Sequence, residues 1–384
     1  MAGQSGQHKS VRRSLSDKQK LNWLRLIRSK NVGPATFRDL VNHFGGSAEA
    51  LEALPDLSRR GGATGALRVC SREAAEQELS AAARIGARLT ALGEPEYPHW
   101  LAMTDLPPPL IYVKGVLSLL EQPMTAIVGA RNGSAIGQKF TRMLSSELGR
   151  AGFVIVSGLA RGIDTAAHTA AIERGTVAVL AGGIDSIYPP ENADLHDAIG
   201  EKGVLLSEMP PGYRPRGQDF PRRNRLISGL SMGVVVVEAA KRSGSLITAR
   251  IAGEQGREVF AVPGNPLDPR AAGTNGLIAD GATIATCSED IIDALKPMLS
   301  QPLEMRTDNA PTFDSANDKP IKMDVAQPDR ERVIEALGFS PVDIDELIRA
   351  TGLEARHVQI ILLELDLAGR LERHGGQLVS LRDV

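Results

Sequence analysis

Apolar and polar residues alternate in short blocks through the middle of the chain. Apolar runs lie at residues 125–128, 153–157, 176–180, 204–207, 233–237 and 258–262. Between them, helix-like periodicity covers residues 138–149, 165–174, 192–202 and 246–255. Short runs rich in β-branched residues are typical of strands buried on both faces, and strands that alternate with helices predict an open sheet. We therefore expect an α/β domain with a mostly parallel, Rossmann-like sheet at residues 85–299.

A small helical domain is predicted before this sheet, at residues 19–84, after a polar, disordered tail at residues 1–18. Two helical stretches are separated by the turn Val32-Gly33-Pro34-Ala35. This pattern is typical of a SAM-like or helix-hairpin-helix-like domain, whose glycine turn can contact a phosphate backbone. The helices also carry acids, so a helical domain that docks on protein is an equal alternative.

A second module is predicted after a polar, aperiodic linker at residues 300–328. Residues 329–384 contain helix patterns at 330–337, 343–350 and 354–369, followed by strands at 370–373 and 377–381. Three helices and a hairpin make a winged helix, whose third helix enters the major groove when it reads DNA. Here that helix offers Glu354, Arg356, His357, Gln359, Glu364 and Asp366. Acids exceed bases across the module, which favours a protein-contact or regulatory role over duplex recognition.

Glycine-rich segments follow four of the predicted strands. They are 129–134, 157–164, 181–183 and 243–245, and the first two contain Arg131 and Arg161. Because the carboxyl ends of parallel strands meet at one edge of a sheet, these segments are expected to lie close together. One glycine turn is weak evidence, but four turns with two arginines predict a site for an anionic ligand.

The segment at residues 220–250 combines three features of such a site. It opens with Phe220, Arg222, Arg223, Asn224 and Arg225, continues into the strand at 233–237, and then has the turn Ser243-Gly244-Ser245 before a helix. A helix N-terminus offers free N–H groups and a favourable dipole to an anion. The alternative is that the arginines form only a solvated helix face.

Composition excludes several classes of protein. The formal net charge of −2 means that any basic surface must be local, and no apolar run reaches the roughly 18 residues of a membrane span. The two cysteines, Cys70 and Cys287, have no CxxC spacing, so neither a disulfide framework nor a zinc site is expected. The first residues lack the apolar core of a signal peptide, and we expect a cytoplasmic protein without a metal or cofactor.

Catalytic motifs are poorly matched. The first glycine turn, GARNGSAIG, fits neither the dinucleotide fingerprint nor the P-loop. Asp164 and His168 lie four residues apart and could form an acid–base pair, although a structural role is the stronger interpretation. Glu238, after the strand at 233–237, is a weaker candidate for a catalytic acid than for a partner of backbone or arginine.

These segments together carry a resemblance to a known family. They include IVGARNGSAIG, IVSGLARGIDTAAHTAAIERG, VAVLAGGIDSIYPPEN, LLSEMPPG, FPRRNRLISGLSMGVVVVEAAKRSGSLITAR and REVFAVPGNP. In this order, over about residues 90–290, the chain resembles the DNA-processing protein A (DprA/Smf) family. The flanking modules are similar to the usual layout of that family. Ala130 precedes the first arginine where the family often has serine or threonine, which removes one hydroxyl contact.

The resemblance implies a protein without enzymatic activity that binds single-stranded DNA during natural transformation. Members protect incoming strands, load the RecA recombinase, displace single-strand-binding protein and act as homodimers. The candidate DNA-binding residues are Gly129, Arg131, Gly158, Arg161, Gly162, Gly182, Gly183, Phe220, Arg222, Arg223, Asn224, Arg225, Ser243, Gly244 and Ser245.

Two other functions stay open at this point. Sheets with glycine-rich edges also bind mononucleotides, as in phosphoribohydrolases with a P-G-G-x-G-T-x-x-E motif. Here the corresponding turn reads Ser243-Gly244-Ser245, and Glu254 does not match the spacing of that motif. A nucleotide-sensing regulator is the third interpretation, and it would bind DNA weakly.

Overall fold

The computed structural model describes residues 14–300 and 325–382. The described residues form two compact units, one of residues 78–300 and the other of residues 15–77 together with 325–382. The N-terminal helices and the C-terminal module thus share the second unit, and their division into two domains stays a prediction.

The helices and strands are numbered separately in chain order. The helices are α1 (Asp17–Ile27), α2 (Pro34–Phe44), α3 (Ser47–Arg60), α4 (Arg72–Arg84), α5 (His99–Ala102), α6 (Ala135–Arg150), α7 (Ile163–Ala171), α8 (Ala193–Lys202), α9 (Asp219–Leu230), α10 (Gly244–Glu254), α11 (Ala272–Ala279), α12 (Ser288–Ser300), α13 (Gln327–Ala336), α14 (Ile344–Thr351) and α15 (Ala355–Leu367). The strands are β1 (Arg88–Ala91), β2 (Leu110–Gly115), β3 (Met124–Val128), β4 (Val154–Ser157), β5 (Thr176–Val179), β6 (Val204–Ser207), β7 (Gly233–Val236), β8 (Glu258–Ala261), β9 (Thr283–Ile284), β10 (Val342–Asp343), β11 (Leu371–Arg373) and β12 (Leu378–Leu381).

The first unit is built on a nine-stranded sheet in the order β1-β2-β6-β5-β4-β3-β7-β8-β9. The strands from β6 to β9 in this order run parallel, whereas β2 pairs antiparallel with both β1 and β6. This arrangement confirms the predicted α/β class with a mostly parallel sheet.

Helices cover both faces of the central strands. Along β3, Ala126 and Val128 belong to one apolar core, whereas Ile127 belongs to a second core on the opposite face. In β7, Val235 likewise faces away from its two neighbours. Because successive strand residues point to opposite faces, a sheet covered twice needs continuous apolar runs. The continuous apolar runs of the sequence therefore reflect a sheet that is covered on both faces.

Several elements differ from the sequence-based expectation. Residues 97–110 contain α5 and lead into β2, and neither element was predicted from the sequence. The basic segment after Phe220 is the helix α9, and α11, β9 and α12 were not assigned from the sequence. β2 was missed because the prolines before it masked the start of its apolar run.

The second unit contains two short helical modules. α1 begins with a capping box between Ser16 and Gln19, and α2 begins with Pro34 and ends at Gly45, whose φ of 72° suits glycine. Helices α13–α15 and the antiparallel sheet β10-β12-β11 form a winged helix around their own apolar core. The strand β10 was not predicted.

The ends of the predicted tail and linker can be compared only in part. α1 starts at Asp17, inside the predicted tail, because Ser16 caps it. α13 starts at Gln327, inside the predicted linker, and Val325 is already buried. Residues 1–13 and 301–324 lie outside the described residues. Within residues 14–300 and 325–382, the helices lack the length and apolar character needed to cross a membrane.

Candidate functional site

The structure brings the four predicted glycine turns to one edge of the sheet. They follow β3, β4, β5 and β7, which are parallel neighbours with β5-β4-β3-β7 in order. The chain leaves β3 for β4 on one side and later returns to β7 on the other. Open sheets bind ligands beyond the carboxyl ends of the strands at such a switch point.

The first turn presents Arg131 to solvent. The guanidinium carbon of Arg131 lies 5.3 Å from the centroid of the Phe220 ring, a cation–π arrangement. Ser134 caps α6 by accepting a hydrogen bond from the N–H of Gly137. Ser134 also donates from both its N–H and its hydroxyl to Glu238, over 2.8 and 2.6 Å. The N-terminus of α6 is therefore already bound to a carboxylate of the protein.

The second turn is fixed by its own backbone contacts. Asp164 accepts hydrogen bonds from the N–H groups of Gly158 and Ala160, at 3.1 and 3.3 Å. Gly162 has a φ of 76°, and a Cβ there would lie 2.5 Å from the carbonyl oxygen of Ala130. Only glycine allows this close approach of the first and second turns. Arg161 is exposed and forms an ion pair with Glu191 at 3.1 Å.

The third turn packs under residues 210–215. A Cβ at Gly182 would lie 2.8 Å from the Tyr213 carbonyl oxygen, and one at Gly183 would lie 2.5 Å from that of Pro210. The N–H of Gly183 donates to the carbonyl of Tyr213. The two glycines are thus required by the packing of two backbone segments, and their N–H groups are in part engaged by protein.

The FPRRNR segment divides its side chains between surface and interior. Arg222 is exposed on α9, and its charge acts on Tyr213 above the third turn. Arg225 is turned toward Glu208, with which it forms an ion pair, and donates to the carbonyl of Leu106. Arg222 alone among the three arginines keeps the exposure expected of a ligand contact.

Arg223 is buried beneath the site. One of its terminal nitrogens donates to the carbonyl oxygens of Gly158 and Val179, at the ends of β4 and β5. Burial lowers the pKa of Arg223 to about 10, with Arg131 acting in the same direction and Asp164 opposing it. The side chain therefore stays charged at neutral pH and holds the turns in place, rather than projecting toward a ligand.

The fourth turn begins α10. The hydroxyl of Ser243 accepts from the N–H of Ser245 at 3.4 Å and lies 2.7 Å from the Ser245 hydroxyl. The amide of Asn224 donates to the carbonyl of Gly244 at 3.3 Å, which joins this turn to α9. Gly244 is exposed, and a Cβ there would meet open space.

An open cavity of about 250 Å³ lies between the first two turns. Its lining residues are Arg131, Asn132, Ala160, Arg161, Tyr188 and Pro189. A much smaller adjoining hollow is lined by Tyr188 and Phe220, among others. We call the exposed side chains of Arg131, Arg161 and Tyr188, together with the half-buried Phe220, the arginine rim. Two cations and the Tyr188 ring line the open cavity, and the Phe220 ring lies beside it in the adjoining hollow. This arrangement suits an anion that carries a planar group.

Tyr188 was missed by sequence reasoning. Its side chain is 46% exposed, and its ring centroid lies 5.3 Å from that of Phe220. The available signal was an aromatic residue before two prolines, a few residues after the third glycine turn, in a chain with only 4% aromatics. Its position at the cavity depends on the fold of residues 181–192, which periodicity does not give.

Asp164 and His168 do not form an acid–base pair. Asp164 binds backbone N–H groups, whereas Nδ1 of His168 lies 2.7 Å from the hydroxyl of Thr176. Burial lowers the pKa of His168 to about 3, with Arg223 as a second cause. Burial also raises the pKa of Asp164, against the effect of Arg223. Asp164 thus fixes the second turn, and His168 joins α7 to the start of β5, so the contacts of both are structural.

Metal ligation finds no support among the described residues. No group of three histidine, cysteine, aspartate or glutamate side chains is arranged to hold an ion within residues 14–300 and 325–382. Glu238 is occupied by Ser134, which agrees with its predicted role as a partner of backbone.

Three family profiles match the chain. Residues 88–296 match the family described as DNA recombination-mediator protein A. Residues 17–81 match a DprA-like N-terminal HHH domain, and residues 318–377 match a DprA winged helix domain. The three matches together follow the order of the predicted modules.

Individual proteins agree with these profiles. The chain is 46% identical over 220 residues to the DNA processing protein DprA of Bacillus subtilis, covering 56% of this chain and 74% of that protein. The crystal structure of DNA processing protein A from Streptococcus pneumoniae is 34% identical, with a TM-score of 0.60, and the match covers 73% of this chain and 98% of that one. A structure of DNA processing protein A from Helicobacter pylori, described for its single-stranded DNA binding mode, is 30% identical, with a TM-score of 0.51 and coverage of 55% and 96%.

Proposed function

The chain belongs to the DNA recombination-mediator protein A family, and from this premise we propose that it binds single-stranded DNA at the arginine rim. The observation that carries the proposal is the open cavity bounded by Arg131, Arg161 and Tyr188 at the switch point of the sheet. The relative from Helicobacter pylori is described as binding single-stranded DNA. Binding of single-stranded DNA by this chain fits the exposed arginines and the aromatic rings of the arginine rim.

Arg131, Arg161 and Arg222 contact the phosphates in this proposal. All three side chains are exposed, so each can reach a strand without leaving a buried partner. Glu191 holds Arg161 only through an exposed ion pair, and such pairs contribute about 0–1 kcal/mol. A phosphate can therefore replace Glu191 at little cost. The roles of the fifteen candidate residues remain part of the proposal.

Phe220 and Tyr188 supply surfaces on which bases stack. A base stacked on an aromatic ring contributes about 1–3 kcal/mol, with little dependence on sequence. Because aromatics make up only 4% of the chain, phosphate contacts should dominate. If about four phosphates are neutralised, log K should fall with log salt with a slope of about −3.

The cellular role follows from the family rather than from the geometry of the rim. We infer that the protein protects incoming single strands in the cytoplasm during natural transformation, displaces single-strand-binding protein and loads RecA as a homodimer. The direct test is the assembly of RecA on strands coated with single-strand-binding protein. Acceleration by this protein is expected, and equal rates with and without it would remove the loading role.

A nucleotide-processing enzyme is the competing function. In the proposed binding protein no side chain acts as a catalyst, and Glu238, a carboxylate in contact with the first turn, is held by two hydrogen bonds from Ser134. Incubation with nucleoside monophosphates separates the two functions. Release of free base would establish the enzyme, whereas competition by mononucleotides without turnover would indicate a nucleotide sensor.

The primary experiment is a salt titration of fluorescence anisotropy with single-stranded and duplex oligonucleotides of equal length. The variants are Arg131→Glu and Arg222→Glu, and the matched control is Arg150→Glu, an exposed arginine at the other end of α6. Tight, salt-sensitive binding to single strands, lost in the first two variants for all sequences alike, supports the proposal. Equal affinities for all four proteins would overturn it.

A further inference from the structure

One wall of the open cavity is formed by residues 184–192, which lie between the third turn and α8. Tyr188 and Pro189 line the cavity from this segment, and Ala160 and Arg161 line it from the second turn. The distance between the tyrosine ring and the arginine therefore depends on the contacts that join the segment to the second turn.

Asn192 makes the buried contacts between the two walls. Its side chain is 6% exposed, and its amide donates to the carbonyl of Leu159 at 2.9 Å and to the hydroxyl of Thr165 at 3.0 Å. The Thr165 hydroxyl in turn donates to the carbonyl of Ala160 at 2.8 Å. Two successive carbonyls of the second turn are thus held, one directly and one through Thr165, by a residue that closely follows Tyr188.

Asn192 does not fill the usual role of an asparagine at its position. It immediately precedes α8, where an asparagine side chain commonly accepts a hydrogen bond from the first turn of the helix and stabilises it. The side chain of Asn192 makes no such bond to α8. The local stabilisation of α8 is given up for a contact with the second turn, 33 residues earlier in the chain.

The acceptor of this contact, Leu159, is strained. It has a φ of 56° and is fully buried, although the left-handed region is unfavourable for residues with a Cβ. Such strain persists where the surroundings fix the backbone, and it is concentrated at ligand sites. Here Asp164 accepts from the N–H groups on both sides of Leu159, those of Gly158 and Ala160, while Asn192 binds the Leu159 carbonyl. The turn is thus held in a conformation that its own sequence disfavours.

The start of the segment is also held by a buried side chain. Nε2 of His196 in α8 donates to the carbonyl of Ile184 at 2.8 Å. The ion pair of Glu191 with Arg161 also spans the two walls, but both side chains are exposed, and such pairs contribute little. The buried hydrogen bonds of Asn192, rather than this pair, therefore fix the segment to the second turn.

We propose that Asn192 is a positioning residue for strand binding, which sets the spacing between the Tyr188 ring and the Arg161 guanidinium group. A base can then stack on the ring while a neighbouring phosphate reaches the arginine, and two such contacts need a fixed separation. Asn192 itself does not contact the strand. This inference rests on the proposed binding of single strands at the arginine rim. Loss of Asn192 should remove stacking on Tyr188 and leave the phosphate contacts in place.

The test measures the affinity of Asn192→Ala, Tyr188→Leu and the double variant for two strands of equal length. One is oligothymidine, and the other is abasic and so offers phosphates without bases. Thr165→Val is a second variant, which keeps the shape of the side chain but removes the hydroxyl that joins Asn192 to Ala160. Its matched control is Thr169→Val, an exposed threonine one turn further along α7. Hydrogen exchange at residues 185–192 of the free protein reports whether the segment is released.

Positioning predicts that Asn192→Ala and Tyr188→Leu each weaken oligothymidine binding about fivefold. The double variant should also lose about fivefold, instead of the roughly 25-fold loss of two independent effects. Affinity for the abasic strand should change by less than about twofold, because the arginines remain. Exchange at residues 185–192 should become faster in Asn192→Ala, less so in Thr165→Val, and not in Thr169→Val.

Independent losses in the double variant would mean that Asn192 acts only on stability. Equal losses for the two strands would mean a general distortion of the site. Either result overturns the proposal, as does unchanged exchange in Asn192→Ala. If Asn192→Ala does not fold, the same comparison with Thr165→Val decides. A wild-type protein that binds no more tightly than Arg131→Glu would instead remove the proposed function, and this inference with it.

Discussion

Arginines have opposite environments at the arginine rim and at the contact between the winged helix and the N-terminal helices α2 and α3. Arg131 and Arg161 are exposed, and their partners are a ring and an exposed carboxylate. Arg373 is paired with two carboxylates, Asp366 and Asp39, and is mostly covered. This difference shows that a ligand site cannot be located by counting arginines. What matters is whether the protein already satisfies the guanidinium groups.

Arg223 is an exception to this comparison, because it lies beneath the glycine turns of the arginine rim but is buried. Arg223→Met would leave the carbonyls of Gly158 and Val179 unpaired and remove the nearby cation from buried Asp164. We expect a loss of about 4 kcal/mol in the free energy of unfolding, measured with denaturant. Arg222→Met is the control, and it should change stability by no more than about 0.5 kcal/mol. Equal effects would contradict the division between buried and exposed arginines.

Gly162 tests whether the rim depends on the close approach of the first two turns. Gly162→Ala forces a side chain into a positive φ and against the carbonyls of Ala130 and Arg131. The expected loss of stability is about 3 kcal/mol, from strain and overpacking together. Gly253→Ala on the exposed face of α10 meets no atoms within 4 Å and should raise stability by up to about 1 kcal/mol. If Gly162→Ala left the free energy of unfolding unchanged, the close approach of the first two turns would not contribute to stability.

Buried His168 makes the stability of the protein depend on pH. Its pKa falls from 6.5 to about 3 on folding, so between these values the unfolded chain binds a proton that the folded chain does not. Stability from this group is complete above pH 6.5 and is lost as the pH falls toward 3. At pH 5 the loss should be about 2 kcal/mol. Other groups also titrate, so the measured quantity is the difference in unfolding free energy between wild type and His168→Asn. That difference should shrink on acidification, and a constant difference would show that His168 titrates normally.

The sheet was predictable because its signal is local in sequence. Buried parallel strands need continuous apolar runs, and the residues after them share one edge, so the strands and the four turns were identified correctly. The direction of the side chains in the FPRRNR segment was not predictable. Three arginines within four residues read alike, but α9 turns by about 100° per residue and sends Arg222 and Arg223 to different environments.

The contact between the winged helix and the N-terminal helices also could not be predicted from the sequence, for a different reason. Its partners are separated by more than half of the chain, and their pairing is carried by single contacts such as Asn31 with Leu367. The acidic character of the third helix favoured protein contact over duplex recognition. That expectation stays a prediction, because the contact of α15 with α2 and α3 lies within the chain, and composition alone could not identify these two helices.

The smallest expected effect concerns the two aromatic residues of the arginine rim. Phe220 and Tyr188 contact each other at 5.3 Å with a tilt of 54°, which leaves no room for a base between them. A base should therefore stack on one outer face, supported by the other ring. Phe220→Leu and Tyr188→Leu should each weaken single-strand binding by about 1 kcal/mol, at the low end for base stacking.

The double variant tells whether the rings act as one surface. If they do, its loss should be smaller than the sum of the two single losses by about 0.5 kcal/mol or more, as for residues in contact. Additive losses would indicate two separate stacking positions. Both variants keep Arg131 and Arg161, so the salt dependence should stay that of wild type. A reduced salt slope would show instead that the rings act by positioning Arg131, whose guanidinium group lies over the Phe220 ring.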